Sequence, residues 1–495
     1  MDVNSMKTKI LCAAMPVLAG TPVLSEPVPE RPNILFIMAD DMGAWAMGNA
    51  GHPNAVTPNL DRLAREGARL ANHFSVSAVC SPSRACILTG KYSLETGVPD
   101  ILGKNEDDGL DLSLATMARA FQQAGYRTAL VGKWHLGHAD RFYPTHYGYD
   151  SFKGFRVGGK ERPLSSQDPE VEISPGCRRI IKGYTSDILT DLAMDFIVES
   201  GDQPFFLSLN FWAPHANQGV ATPDGDRTWL PLPEADWEPF KDLDPIVPNP
   251  DYPDLDIARV KRMTREYLGS VHSVDRNIGR LLAYLEERGI LDRTIIVFTS
   301  DNGFNLGHSG IWHKGNGWWI LTNNRGDRPN LLDHSMRVPA LIHWPAKIPP
   351  GLVLESANTS LDWFPTLCGL AGVPVDPAWD LRGVDLRKEI LENQASERPV
   401  FGQYRMWEWN QTGSNLRAYR TNSWKLVIDL EKKVPDEFYD LSRDPAERVN
   451  LFASTDPRVV EARRQMEAAL RACMKKIGDD GTRSAPKTKL APSSS

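Results

Sequence analysis

The chain has 495 residues, enough for a large core and, by the size rule, for two domains. Hydrophobic residues make up 41% and charged residues 24%, the balance of a globular protein, and the net charge of −7 excludes a basic footprint for nucleic acid. Six cysteines, at positions 12, 80, 86, 177, 368 and 473, show neither a zinc-like spacing nor a redox C-x-x-C; a disulfide among the last four is an open option.

Lys7 and Lys9 precede an apolar stretch from Ile10 to Ala19, followed by a Pro-rich tail. This reads as an export signal over residues 1–25, too short to span a bilayer, so the mature chain is expected in the periplasm or secreted, without stable membrane insertion. Cys12 lacks the small residues that precede a lipoprotein cysteine.

Asn33–Ala39 (NILFIMA) is a continuous apolar run of the kind that suits a buried parallel strand. It ends in Asp40-Asp41, and ligand sites in α/β sheets lie at such strand ends. Adjacent carboxylates repel unless something positive lies between them, so the pair is either a hard-cation site or a solvated turn. Thr57-Pro58 opens a helix as N-cap and N1. Then comes VCSPSRACILTGKY, in which Pro82 restricts the backbone and the run from Arg84 to Leu88 suits a helix. That puts Cys80 near a helix N-terminus, where backbone N–H groups favour anions, with Arg84 as a fixed cation.

Ser113 is expected to cap the next helix, which Gly125 ends. Thr128–Val131 reads as a strand running into GKWHLG, which carries Lys133 and His135. Residues 204–209 form another strand, followed by Phe211-Trp212-Ala213-Pro214-His215. Residues 216–255 read as an irregular insertion. A long amphipathic helix covers about 257–288. The strand Thr294–Thr299 ends in Ser300-Asp301-Asn302-Gly303, placing two more oxygen ligands at the same sheet edge as Asp40 and Asp41. GHSGIWHKG (307–315) follows with Lys314, then a strand at 336–342 and a helix at 361–373. Beyond residue 380 short strands at 415–421, 424–430 and 437–441 precede a helix at 457–476, an α+β pattern. Arg405, Trp407, Trp409, Arg417 and Arg420 are candidates for gripping an anionic sugar or are ordinary residues of that region.

C-x-P-S-R followed by x-x-x-x-T-G resembles the signature of the type I sulfatases, and the order DD, CSPSR, GKWHLG, APH, SDNG and HKG follows that family from Pro32 to Phe452. The resemblance implies an alkaline-phosphatase-like α/β fold, a large mixed and mostly parallel sheet flanked by helices, with a smaller C-terminal α+β domain bearing a short antiparallel sheet. The expected division is a catalytic domain at 32–375, a subdomain at 376–477 and a disordered tail at 478–495. It implies that a maturation enzyme oxidises Cys80 to formylglycine, and that Asp40, Asp41, Cys80, Asp301 and Asn302 hold one Ca²⁺. Cys80, Arg84, Lys133, His135, His215 and Lys314 are implied to be catalytic; Lys133, His215 and Lys314, with Arg405 and Arg417, are expected to touch substrate.

The implied reaction is hydrolysis of a sulfate ester, with a sulfated sugar or polysaccharide as the expected substrate. The hydrated aldehyde attacks sulfur, His215 or Lys314 protonates the leaving alcohol, and His135 takes the proton that lets sulfate leave. A phosphonate or phosphodiester hydrolase of the same superfamily is the runner-up, and a non-catalytic binder with Cys80 unconverted is the third reading. Two positions depart from the pattern: many relatives have His where Ser309 stands, and a small residue where His313 stands.

Overall fold

Strand β1 (Asn33–Ala39) is buried at every position and fits the apolar run that encodes it. The structure is a computed structural model, and the description covers residues 31–103, 106–156, 166–217, 220–223, 225–406 and 413–482. The export signal at 1–25, Trp407, Trp409 and the tail beyond 482 lie outside the described residues.

The next strands are β2 (Ala68–Phe74), β3 (Arg127–Lys133), β4 (Ser151–Phe155), β5 (Glu170–Ser174), β6 (Cys177–Ile180), β7 (Phe205–Asn210) and β8 (Thr294–Ser300). After these come β9 (Ile311–Trp312), β10 (Asn316–Trp319), β11 (Asp327–Pro329), β12 (Ala340–His343) and β13 (Leu352–Thr359). Among the described residues the large sheet has ten strands in the order β13-β2-β12-β8-β1-β7-β3-β4-β5-β6. β8, β1, β7, β3 and β4 are mutually parallel, whereas β12 runs antiparallel to both neighbours. Both faces are covered, as parallel sheets require. Leu35, Ile37 and Ala39 pack with the helices Thr185–Ser200 and Ile257–Glu287. The alternate residues Ile34, Phe36 and Met38 pack with Met117–Gln123 and Trp363–Leu370.

The C-terminal part is a four-stranded antiparallel sheet of β14 (Val400–Met406), β15 (Ser414–Arg420), β16 (Trp424–Asp429) and β17 (Glu437–Asp440). The helix Pro457–Lys476 lays Val459, Met466 and Leu470 against it.

Several expectations change. The helix expected from Ser113 starts at Met117, because Thr116 Oγ1 accepts the Arg119 N–H at 3.1 Å while Ser113 is tied to Asp111. The helix expected at 361–373 is shorter, Trp363–Leu370, behind a 3₁₀ turn at Ser360–Asp362. Cys86, Cys177, Cys368 and Cys473 are all free thiols. The start of the tail is anchored: Asp479 pairs with buried Arg417, and Asn415 Nδ2 donates to the Gly481 carbonyl at 3.0 Å.

Candidate active site

Four parallel strands end at one edge and deliver the site: β1 brings Asp40 and Asp41, β8 brings Asp301 and Asn302, β3 brings Lys133, and β7 leads to His215. Helix Cys80–Thr89 begins at the nucleophile position itself, with Val79 as its extended N-cap. The Cys80 Sγ lies 3.5 Å from Asp40 Oδ1 and 4.0 Å from Asp41 Oδ1. One carboxylate oxygen from each of Asp40, Asp41 and Asp301 falls within 4.8 Å of the other two, and all three are buried.

Arg84, one turn along the helix, pairs with Asp301 through Nε at 2.9 Å and Nη2 at 2.8 Å. Its Nη1 donates to the Lys133 carbonyl at 3.1 Å, which also accepts from Asn210 Nδ2 at 2.9 Å. The Lys133 ammonium binds Asp40 and sits 5.0 Å over the Trp212 ring. Lys314 reaches Asp41 and lies 2.6 Å from the Cys80 sulfur. Asn302 Nδ2 donates to Asp41 Oδ1 at 2.9 Å, which leaves its buried Oδ1 with no hydrogen-bond partner. A buried oxygen without a donor, next to three carboxylates, fits a hard cation that takes oxygen ligands.

The backbone is shaped for this placement. Asp41 adopts φ +67°, an uncommon conformation for a residue with a side chain. It is held because its N–H donates to Asp301 Oδ1 at 3.1 Å and its carbonyl accepts from Tyr267 at 2.8 Å. Gly132, at φ +108°, lies so close to β7 that a Cβ would stand 1.9 Å from the Asn210 carbonyl. His135 follows the end of β3 in a left-handed turn, φ +59°.

Burial would raise Asp40, but Lys133, His215, Arg84 and Lys314 together hold it well below the usual carboxylate range. Asp41 is lowered against burial mainly by Lys314. Asp301 goes the other way, to about 6, through burial and the nearby Asp40 charge. Burial also pushes the Cys80 thiol up to about 12 against the pull of Lys133 and Lys314. His135 and His215 are pushed down, by burial first, and are neutral imidazoles. The His215 Nδ1 contacts the Ala216 carbonyl at 2.7 Å, while Nε2 faces Asp41 Oδ2 at 3.7 Å.

Thus Asp40, Asp41, Cys80, Arg84, Lys133, His135, His215, Asp301, Asn302 and Lys314 converge. Arg417 is a different case, and its expected part in substrate binding is set aside. It is fully buried and its Nη2 donates to Asp479 Oδ1 at 3.0 Å. Arg405 is buried on β14, with Nε 3.2 Å from Asn415 Oδ1. Arg420 is paired with Asp333 at 3.0 Å. Sequence reasoning missed Asn210, Trp212 and Tyr267, which support the charged residues from neighbouring strands and helix; nothing local in the sequence marks them.

Residues 32–373 match the sulfatase family model, and residues 326–476 match a model described as N-sulphoglucosamine sulphohydrolase, C-terminal. The chain belongs to the sulfatase family. It is a sulfuric ester hydrolase with the alkaline-phosphatase-like fold. It is 31% identical to an N-acetylglucosamine-6-O-sulfatase of Bacteroides thetaiotaomicron, over 86% of this chain and 84% of that one. Human arylsulfatase A is 30% identical, over 89% of this chain and 88% of its own length. A solved structure in complex with its substrate D-glucosamine-2-N,6-O-disulfate is 28% identical, with a TM-score of 0.75, covering 92% of this chain and 100% of that one.

Proposed function

We propose that the enzyme removes sulfate from a sulfated amino sugar or its oligosaccharides, after Cys80 has been converted to formylglycine and with one Ca²⁺ held by Asp40, Asp41, Asp301 and Asn302. The observation that carries this reading is the position of Cys80. Its sulfur stands 3.5 Å from Asp40 and 4.0 Å from Asp41, two of the three clustered carboxylates, and Asn302, which bonds Asp41, has an unpartnered buried oxygen. A thiol is a poor ligand for the cation such a set selects, whereas an oxygen at the same place is a good one. The thiol is also protonated at neutral pH and hence a weak nucleophile. The names of the relatives support the amino-sugar class.

When present, the hydrated aldehyde supplies an oxygen nucleophile with a second hydroxyl, and calcium supplies positive charge opposite the sulfate oxygens. The chain does the rest. Arg84 is immobilised by Asp301 and the Lys133 carbonyl, so its charge is fixed in direction before substrate arrives. Lys133, held over Trp212, offers a second cation to the sulfate oxygens. Burial works to deprotonate Lys314, but Asp41 overcomes it and keeps the ammonium charged. Lys314 is therefore a charged group that can bring its ammonium to the leaving oxygen, and it or His215 supplies the proton there. His135 is neutral, with Nδ1 lacking a partner, and can take a proton there.

Mass spectrometry of the tryptic peptide from Leu70 to Arg84, from protein made with the maturation enzyme, tests the nucleophile. An aldehyde at position 80, with calcium-dependent release of sulfate from 6-sulfated N-acetylglucosamine, is the expected result. An intact thiol, alongside a control sulfatase matured in the same cells, would refute it.

A further inference from the structure

The turn that joins β9 to β10 carries Lys314 into the site, and it carries a second residue to which the mechanism gives no part. His313 has φ +78°. That is the left-handed region, which glycine adopts without strain and which side-chain-bearing residues adopt uncommonly, His and Asn among the more frequent. The resemblance expects a small residue here. A ring where the pattern expects a small residue, held by its own contacts, raises the question of its use.

The ring is fixed from several directions. Its Nδ1 lies 2.9 Å from Asn316 Oδ1. It packs edge-on against Phe304, Trp312 and Trp318, with centroids 5.7, 5.3 and 5.1 Å away. The two indoles stack on each other at 5.5 Å. The turn is itself clamped: the Gly315 N–H donates to the Ala78 carbonyl at 3.0 Å, two residues before Cys80. Asn305 holds the His313 carbonyl through its N–H at 2.9 Å and its Nδ2 at 2.8 Å. None of these backbone bonds needs the imidazole.

With Asn316 Oδ1 as acceptor, Nδ1 carries the ring hydrogen and Nε2 is left as a lone-pair acceptor. The ring is neutral, since burial and then the adjacent Lys314 push its pKa down to about 3. It directly precedes Lys314 and lies within electrostatic reach of Lys314, Asp41 and His215, which on the proposed reading surround the sulfate. His313 and Trp318 are only half-buried, so this wall has an open side. Aromatic faces beside one fixed acceptor suit a ligand with apolar C–H faces and hydroxyl or N–H edges.

Resting on the sulfatase reading above, we infer that His313, with Trp318 beside it, is a specificity-determining residue whose Nε2 receives a hydroxyl or amide N–H of the sulfated sugar. It takes no part in breaking the sulfur–oxygen bond.

The test compares two substrates, a 6-sulfated N-acetylhexosamine and 4-nitrophenyl sulfate, on matured enzyme. The variants are His313→Gly, which removes the ring and relieves the backbone, and His313→Gln, which keeps an acceptor. His313→Gly is expected to lose about 10- to 100-fold in kcat/KM on the sugar sulfate, mostly through KM, and less than about 3-fold on the aryl sulfate. Lost packing lowers the Tm of His313→Gly but weighs on both substrates alike, so the ratio of the two kcat/KM values is the readout, and His313→Gln should recover part of the loss. Equal losses on both substrates, or unchanged kinetics on the sugar, would overturn the inference. Failure of matured parent enzyme to cleave any sugar sulfate while cleaving the aryl sulfate would overturn the substrate reading and this inference with it.

Discussion

Replacing Lys314 by Met should tighten calcium binding while crippling catalysis. In the metal-free chain Asp40, Asp41 and Asp301 face Arg84, Lys133 and Lys314, so carboxylates and cations balance. The Lys314 ammonium bonds Asp41 and lies 2.6 Å from the Cys80 sulfur. A cation binding to Asp41 must compete with that ammonium. Two unit charges about 4 Å apart interact by roughly 4 kcal/mol at an effective dielectric constant near 20, which sets a ceiling of about a thousand-fold on the gain. The flexible lysine can swing aside, so we expect about 10- to 100-fold, or roughly 1.4–2.7 kcal/mol. Calorimetric titration of calcium into chelator-treated protein measures this directly. Calcium should also raise the Tm of Lys314→Met more than that of the parent, since the metal-free variant holds an uncompensated carboxylate. Activity should fall about 100- to 1000-fold at saturating calcium. Lys314→Arg, which keeps the charge, should bind calcium like the parent. Folded Lys314→Met with unchanged or weaker calcium affinity would refute the competition argument.

Arg417→Ala should destabilise the fold by about 3–5 kcal/mol by leaving Asp479 buried without its cation; a urea melt matching the parent, together with a raised KM, would restore Arg417 as a substrate contact. Gly132→Ala forces a Cβ to 1.9 Å from the Asn210 carbonyl at φ +108°, so a soluble variant with parental Tm and activity would contradict the packing that positions Lys133. Burial holds the His73 imidazole at about 4, below its ordinary 6.5. A lowered base contributes stability that is complete above pH 6.5 and lost as pH falls through about 4, here roughly 3 kcal/mol at 1.36 kcal/mol per tenfold. Unfolding free energy followed from pH 7 to 4.5 should therefore fall more steeply for the parent than for His73→Asn, and parallel curves would refute the assignment.

The site was legible in the sequence to the extent that its chemistry is written in short local runs. Asp40-Asp41 and Asp301-Asn302 each follow an apolar run, and parallel register puts Ala39 beside Ser300, so both pairs reach one edge. CSPSR places Cys80 and Arg84 a turn apart on one helix. Strands with mixed composition were not legible. β2 (ARLANHF) and β13 carry polar residues because they pair toward one end of the sheet and are half-covered. β14 is apolar only in part, and it is made a strand by seven cross-strand partners on β15. The first residues of the expected tail depart from expectation for a related reason. Asp479 looks like a solvated charge, and only the fold brings Arg417, sixty-two positions earlier, to meet it.

The charge balance also bears on the proposed conversion of Cys80 to formylglycine. Three cations face three carboxylates, with Lys133 on Asp40 and Lys314 on Asp41, and burial pushes the Cys80 thiol up so that it holds its proton. On the proposed reading, an oxygen-bearing residue at position 80 together with a hard dication would give the site two surplus positive charges. A sulfate monoester brings one negative charge, so one positive charge remains uncompensated as the ester bond lengthens and the departing oxygen gains charge. Arg84 cannot move to meet that charge, because Asp301 and the Lys133 carbonyl hold it. Lys314, on a flexible stem at the tip of a clamped turn, can. The rigid cation therefore suits the sulfate oxygens, which keep their charge throughout, and the mobile one suits the oxygen whose charge appears only as the bond breaks.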